Sequence, residues 1–200
     1  MGSAEPIFVF FYGKIIIMNK ETKNIILNAN KDNIKWEIYF MALAKLSAMR
    51  SKDPTTKVGA CIVSPNNYVV SLGYNGMPTS FNNKTLNNDD IFPWNRPEKS
   101  QDVLNSKYTY VVHAEANAII NANLTNSKIE SNSSIFVTHS PCYHCAKLIV
   151  QSKISKVYYA IAYKEESDDF KASEKIFQAF GIECIKIKDD FDLNFRIKKS

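Results

Sequence analysis

The sequence predicts an α/β sandwich whose sheet contains parallel neighbours, and three observations predict it. Between residues 113 and 187 helical and strand-like segments alternate, the pattern of helices packed on a sheet with parallel strands. Ahead of them, two apolar and β-branched runs flank Ser64-Pro65-Asn66-Asn67, a turn sequence that reads as a hairpin. At 200 residues and 45% hydrophobic composition, the chain buries one good core, so a single domain must hold whatever site there is.

Taken in order, residues 7–18 are apolar except for Gly13 and Lys14, too short to span a bilayer, and read as an extra strand or an ill-ordered extension. Residues 19–33, with five asparagines among charges, read as a polar linker, so the expected division is an extension over 1–33 and a folded domain over 34–200. Trp36, Tyr39, Phe40, Leu43 and Ser47 recur at helical spacing and predict a core-facing helix ending near Met49. Strands follow over 58–63 and 68–74, with 73–78 closing the hairpin's far end. Residues 79–107 lack any period and read as a long loop with a short helix near 100–104; a loop that long in a compact domain is functional or disordered. Then come a helix over 113–123, a strand over 134–138, a helix over 142–152 and a strand over 156–162. A last helix over 170–180 ends at Gly181 in a C-cap position, before a strand over 182–187.

The net charge of +5 and pI near 8.9 suit an anionic small molecule or nucleic acid but select neither. Lysines are scattered through the second half without a dense basic block interleaved with aromatics, which is how solvated faces read, not a nucleic-acid groove. Four cysteines without a secretory leader or an evenly spaced framework point to a reducing compartment. Pro6 stands where a myristoylation signal needs Ser or Thr. The expectation is a soluble, cytoplasmic protein with no membrane and no nucleic-acid partner.

Two short motifs carry chemistry: His113-Ala114-Glu115 and Pro141-Cys142-Tyr143-His144-Cys145, each at the head of a predicted helix. The first turn of a helix brings a Cys-x-x-Cys pair to one side, where the helix dipole favours thiolates. His113 then completes a three-ligand zinc site with Cys142 and Cys145, leaving the fourth position open to water, the arrangement of a catalytic rather than a structural zinc. Glu115, two residues after the histidine, is placed to move protons without ligating the metal. A Cys-x-x-Cys pair alone also fits a redox site or half of a structural zinc site, but no second pair exists to close one. His139 and His144 are read as bystanders, and Cys61 and Cys184 as buried strand thiols.

The chain resembles the deoxycytidylate (dCMP) deaminase family of the cytidine deaminase superfamily over about residues 36–190. The residues that carry the resemblance are Arg50-Ser51-Lys52-Asp53-Pro54, Val58-Gly59-Ala60, Gly73-Tyr74-Asn75-Gly76-Met77-Pro78, Pro93-Trp94, and His113 through Ile119 with Pro141 through Cys145. The resemblance implies a three-layer α/β/α sandwich around a central mixed five-stranded sheet, and hydrolysis of dCMP to dUMP and ammonia. It implies zinc on His113, Cys142 and Cys145, with Glu115 as proton donor and acceptor.

The same resemblance assigns Asn75 to the sugar or base and Tyr163 to the substrate. An Asn-Gly turn with positive φ and a half-buried strand-end tyrosine are the plainer readings of these two. A phosphate site is expected near Arg50 and Lys57, with Ser51 and Lys52 first; a polar loop after a helix is the alternative. Regulation by dCTP as activator and dTTP as inhibitor, magnesium accompanying the nucleotide effector, and a homohexamer are also implied. The chain departs from the family in its first 33 residues and in the Asn-rich stretch 79–88, and it lacks the Cys and His of a second, structural zinc, so one zinc per chain is expected.

Two rival readings remain. A deaminase of cytosine in single-stranded nucleic acid needs a groove of arginines and aromatics, whereas Arg50, Arg96 and Arg196 are the only three arginines here. A non-catalytic zinc-stabilised scaffold has no use for the Glu115 carboxylate.

Overall fold

The computed structural model describes residues 7–11, 14–18, 33–79, 91–96, 102–188 and 191. The chain divides into two compact units, Met1–Lys35 and Trp36–Ser200. In the first, β1 (Ile7–Phe11) and β2 (Lys14–Met18) pair antiparallel, so the apolar run expected to give one strand gives a hairpin. The expected linker and most of the 79–107 loop lie outside the described residues.

In the second unit the elements are α1 (Trp36–Ala48), β3 (Gly59–Val63), β4 (Val69–Tyr74), α2 (Lys107–Tyr110), α3 (Ala114–Leu124), β5 (Ser134–His139), α4 (Tyr143–Gln151), β6 (Lys156–Ile161), α5 (Asp168–Ala179) and β7 (Glu183–Lys186). The sheet order is β4-β3-β5-β6-β7, with β3 antiparallel to both β4 and β5, and β6 parallel to both β5 and β7. This is the expected mixed five-stranded sheet. One face buries Ala60, Ile62, Ile135, Val137 and Val157 beneath α3, α4 and α5; the other buries Cys61, Val63 and Phe136 beneath α1. The result is three layers, α/β/α.

Gly59 and Gly73 set how closely the layers approach. A Cβ on Gly59 would lie 2.0 Å from the Ala44 carbonyl oxygen of α1, so only glycine lets that helix seat on β3. The α1 surface is turned from the expected stripe: Phe40, Met41, Ala44 and Ser47 are buried, whereas Trp36 is 55% and Tyr39 40% exposed. The short helix near 100–104 is instead α2 at Lys107–Tyr110. The Asp102 carboxylate accepts from the Asn105 backbone and side chain, closing a turn, and Ser106 caps the helical turn that follows by accepting from Tyr108 N–H. Cys184, expected to be buried, is exposed because β7 is an edge strand. No helix among the described residues is long and apolar enough to cross a membrane.

Three helices end in the same cap. After α5, Ile182 N–H donates to Phe177 and Gly181 N–H to Gln178, with Gly181 at φ 65°, as its position in the sequence predicts. Asn126 (φ 54°) and Lys153 (φ 60°) fill the same position after α3 and α4. A lysine there carries a Cβ in the left-handed region, which costs on the order of 1 kcal/mol. Lys153→Gly is therefore expected to stabilise the fold by about 0.5–1 kcal/mol, read as a higher urea midpoint at unchanged slope.

Candidate active site

His113 and Cys142 are the N-cap residues of α3 and α4, and neither uses its side chain to cap its helix. Both side chains turn instead toward one point, with Cys145 from the first turn of α4. His113 Nδ1 lies 3.5 Å from Cys142 Sγ and 3.4 Å from Cys145 Sγ, and the three donor atoms fall within 4.8 Å of one another. Zinc bonds of about 2.0 Å to nitrogen and 2.3 Å to sulfur, meeting at a tetrahedral angle, place N and S roughly 3.6 Å apart. The donor set therefore fits zinc in chemistry and spacing. Among the described residues no other group of three His, Cys, Asp or Glu side chains gathers in this way, and neither His139 nor His144 belongs to the trio.

The electrostatics prepare the same result. The Cys142 thiol is drawn down to about 3 by the hydrogen bond from Cys145, against the opposing effect of burial, and by His113. Hydrogen bonding to Cys142 raises His113 to about 9, and the same contact with Cys142, together with burial, raises Cys145. The shift favours a thiolate at Cys142, and the positive ends of two helices face it; metal binding displaces the remaining protons. Glu115 sits beside the trio at 4% exposure, and burial raises its carboxyl above the usual range while the charge on His113 opposes the shift.

The position of α3 is fixed by its contact with β4. Asn117 and Asn121 donate side-chain N–H groups to the outward carbonyls of Tyr74 and Leu72, and Ser71 Oγ donates to Ala118 O. These bonds explain the Asn117 of the motif: it ties the strand edge to the helix that carries Glu115. A Cβ on Gly73 would lie 2.3 Å from Ala114 O and 2.4 Å from Ala118 N. Because Ala114 separates His113 from Glu115, Gly73→Ala is expected to displace both, destabilising by roughly 1–3 kcal/mol. Thermal unfolding and zinc content report the two effects separately.

The trio and Glu115 border a cavity of about 510 Å³. Asn75 and Tyr163, both expected at the substrate, line it. Asn75 does not take the positive φ of an Asn-Gly turn. Its Oδ1 accepts from Val58 N–H, and its Nδ2 donates to Asp53 and to Thr56 O. Ser51 and Lys52 do not line the cavity. Ser51 is buried, its hydroxyl donating to Asn75 O and accepting from Asp53 N–H, and Lys52 is exposed on the loop after α1.

Sequence reasoning missed the buried ion pair beneath this wall. Lys107 Nζ donates to both Asp53 oxygens at 2.8 and 2.6 Å and to Thr55 Oγ1 at 2.6 Å, with side chains 4% and 2% exposed. Asp53 also accepts from the Thr55 and Thr56 backbone, so one carboxylate joins the loop after α1, the Asn75 turn and α2. From α2 the chain runs through Val112, which pairs with Gly76, directly to His113. Arg96 and His139 are also on the lining; sequence reasoning assigns neither a place in the site and reads His139 as a bystander.

Comparison with known proteins agrees with this geometry. The family model for the cytidine and deoxycytidylate deaminase zinc-binding region matches residues 34–161. The chain belongs to this deaminase family. Among curated relatives, human deoxycytidylate deaminase is 43% identical over 80% of this chain and 88% of its own length. The probable deoxycytidylate deaminase of Drosophila melanogaster is 44% identical over 76% of this chain and 72% of its own. Among solved structures, the dCMP deaminase of cyanophage S-TIM5 in complex with dCMP and dUMP superposes with a TM-score of 0.57 at 30% identity, covering 78% of this chain and all of that one. The matched zinc-binding region spans His113, Cys142 and Cys145, whose cluster fits a zinc ion.

Proposed function

We propose that the protein hydrolyses dCMP to dUMP and ammonia with one zinc per chain. The observation that carries this reading is the trio of zinc-spaced donors with a buried carboxylate, Glu115, beside it, opening on a cavity of nucleotide size. Relatives and a solved neighbour named for dCMP support the substrate. The reaction forms a bond from a water oxygen to C4 of cytosine and breaks the bond from C4 to the amino nitrogen. Zinc supplies Lewis acidity that brings a bound water's pKa toward about 7. Glu115 takes one proton from the attacking water and delivers it to ring N3, then takes the second from the new C4 hydroxyl and delivers it to the departing amino nitrogen. His113, Cys142 and Cys145 hold the metal, and burial raises the basicity of Glu115.

Asn75 and Tyr163 border the ligand in this reading, and their place on the lining supports them. Regulation by dCTP and dTTP, a homohexameric assembly and a cytoplasmic location rest on resemblance. With no second metal-ligand cluster among the described residues, any magnesium belongs to the effector's own phosphates. The test is a panel of dCMP, deoxycytidine and a cytosine-bearing oligonucleotide, each with and without dCTP. The reading expects dCMP turnover that rises with dCTP; turnover of the oligonucleotide alone would overturn it.

A further inference from the structure

We propose that Arg96, seconded by Lys164, receives the 5′-phosphate of the substrate at the exposed end of the cavity and sets the preference for nucleotide over nucleoside. This rests on the substrate reading above. Among the described residues, three lysine or arginine side chains line the cavity: Arg96, Lys107 and Lys164. Lys107 is spent, since its ammonium is buried against both oxygens of Asp53. Among the described residues Arg96 makes no ion pair. One of its N–H groups donates to Tyr163 Oη at 3.4 Å, and its guanidinium lies 5.7 Å from the centre of the Tyr108 ring. A guanidinium has five N–H donors in a planar fork matched to phosphate, and the contacts with Tyr163 and Tyr108 leave donors free among the described residues.

The placement is as informative as the charge. The Tyr163 ring meets His139 edge-on at 6.4 Å, and His139 leads through Ser140 and Pro141 to Cys142. The Tyr163 hydroxyl, at the far end of that ring, meets Arg96. Arg96 thus stands one tyrosine length beyond the metal-side wall, and the amino group and phosphate of a cytosine nucleotide likewise lie at its opposite ends. Lys164 follows Tyr163, with its ammonium 5.3 Å from the Tyr163 ring centre, and adds a point charge on the lining. Among the described residues the acidic groups on the lining are Asp53, held by Lys107; Glu115, buried beside the metal trio; and Asp169, exposed at the start of α5. Ser51 and Lys52, the expected phosphate ligands, lie off the lining.

The experiment measures kcat and KM of the zinc-loaded enzyme for dCMP and deoxycytidine, in wild type, Arg96→Ala, Arg96→Lys, Lys164→Ala and Lys52→Ala. Losing a charge-assisted phosphate contact is expected to lower the dCMP-to-deoxycytidine ratio of kcat/KM about 10- to 100-fold in Arg96→Ala, mainly through KM. Arg96→Lys should recover part of it, and Lys164→Ala should show a smaller loss. An unchanged ratio in Arg96→Ala, or the same selective loss in Lys52→Ala, would overturn the assignment while leaving dCMP as substrate. Wild type that turns over neither compound would overturn the substrate reading itself.

Discussion

Replacing Glu115 with alanine is expected to leave the fold and zinc content intact and to lower dCMP turnover by about 10³- to 10⁴-fold. The carboxylate is not one of the three clustered donors, so the metal keeps all its protein ligands. On the proposed mechanism, what disappears is the group that moves a proton between water, ring nitrogen and leaving group, and positioned general acid–base catalysis contributes about 10²–10⁴-fold for each transfer it assists. Glu115 is buried beside the metal with its carboxyl raised by that burial, so an alanine there also removes a costly buried acid. The variant should therefore melt no lower than wild type. Substantial residual turnover would show that another group carries the proton.

The second large effect is on stability. Lys107→Met is expected to destabilise the protein by about 3–5 kcal/mol near neutral pH, because it leaves the Asp53 carboxylate buried without its counter-charge. The pH dependence gives this prediction a sign. Burial pushes the Asp53 carboxyl up, but the Lys107 ammonium and the Thr56 and Thr55 N–H groups outweigh it and hold it below the usual value. A carboxyl lower in the folded than in the unfolded state stabilises above its unfolded value of about 3.9, and that stability is lost as pH falls through the folded value. The wild-type protein should accordingly weaken below about pH 4. In Lys107→Met the ammonium no longer opposes burial, so the deficit should shrink as acid neutralises Asp53. Urea unfolding of both proteins at pH 7 and pH 4 measures this; a deficit that grows in acid would contradict the account. Lys107→Met with Asp53→Asn should recover part of the loss, since both partners of the pair are then uncharged.

The metal site was legible in the sequence because its chemistry is local. Cys142 and Cys145 share one helical turn, Glu115 follows His113 by two residues, and each motif opens a helix whose start the sequence also shows. The sheet was legible for a related reason: β3 buries every residue, and Gly181 ends α5 where its φ requires glycine. What stayed hidden depends on distance along the chain. Asp53 and Lys107 are 54 residues apart, and nothing near either one marks it as half of a buried pair. The same holds for Arg96 and Tyr163, 67 residues apart, whereas a phosphate site on Ser51 and Lys52, beside a helix end, can be read from local sequence. Ser51 has the right chemistry, but its hydroxyl is consumed by Asn75 O and Asp53 N–H. The stripe of α1 went astray because Trp36 and Tyr39 are apolar in type yet lie on the outer flank of a helix seated on Gly59 by its small Ala44.

The central claim is that zinc held by His113, Cys142 and Cys145 drives hydrolytic loss of the amino group from dCMP. It is tested most directly by stripping the metal with a chelator, measuring zinc and dCMP turnover together, and then titrating zinc back. The account predicts turnover that vanishes with the metal and returns in proportion to zinc, reaching its plateau at one equivalent per chain; undiminished turnover by the metal-free protein would contradict it.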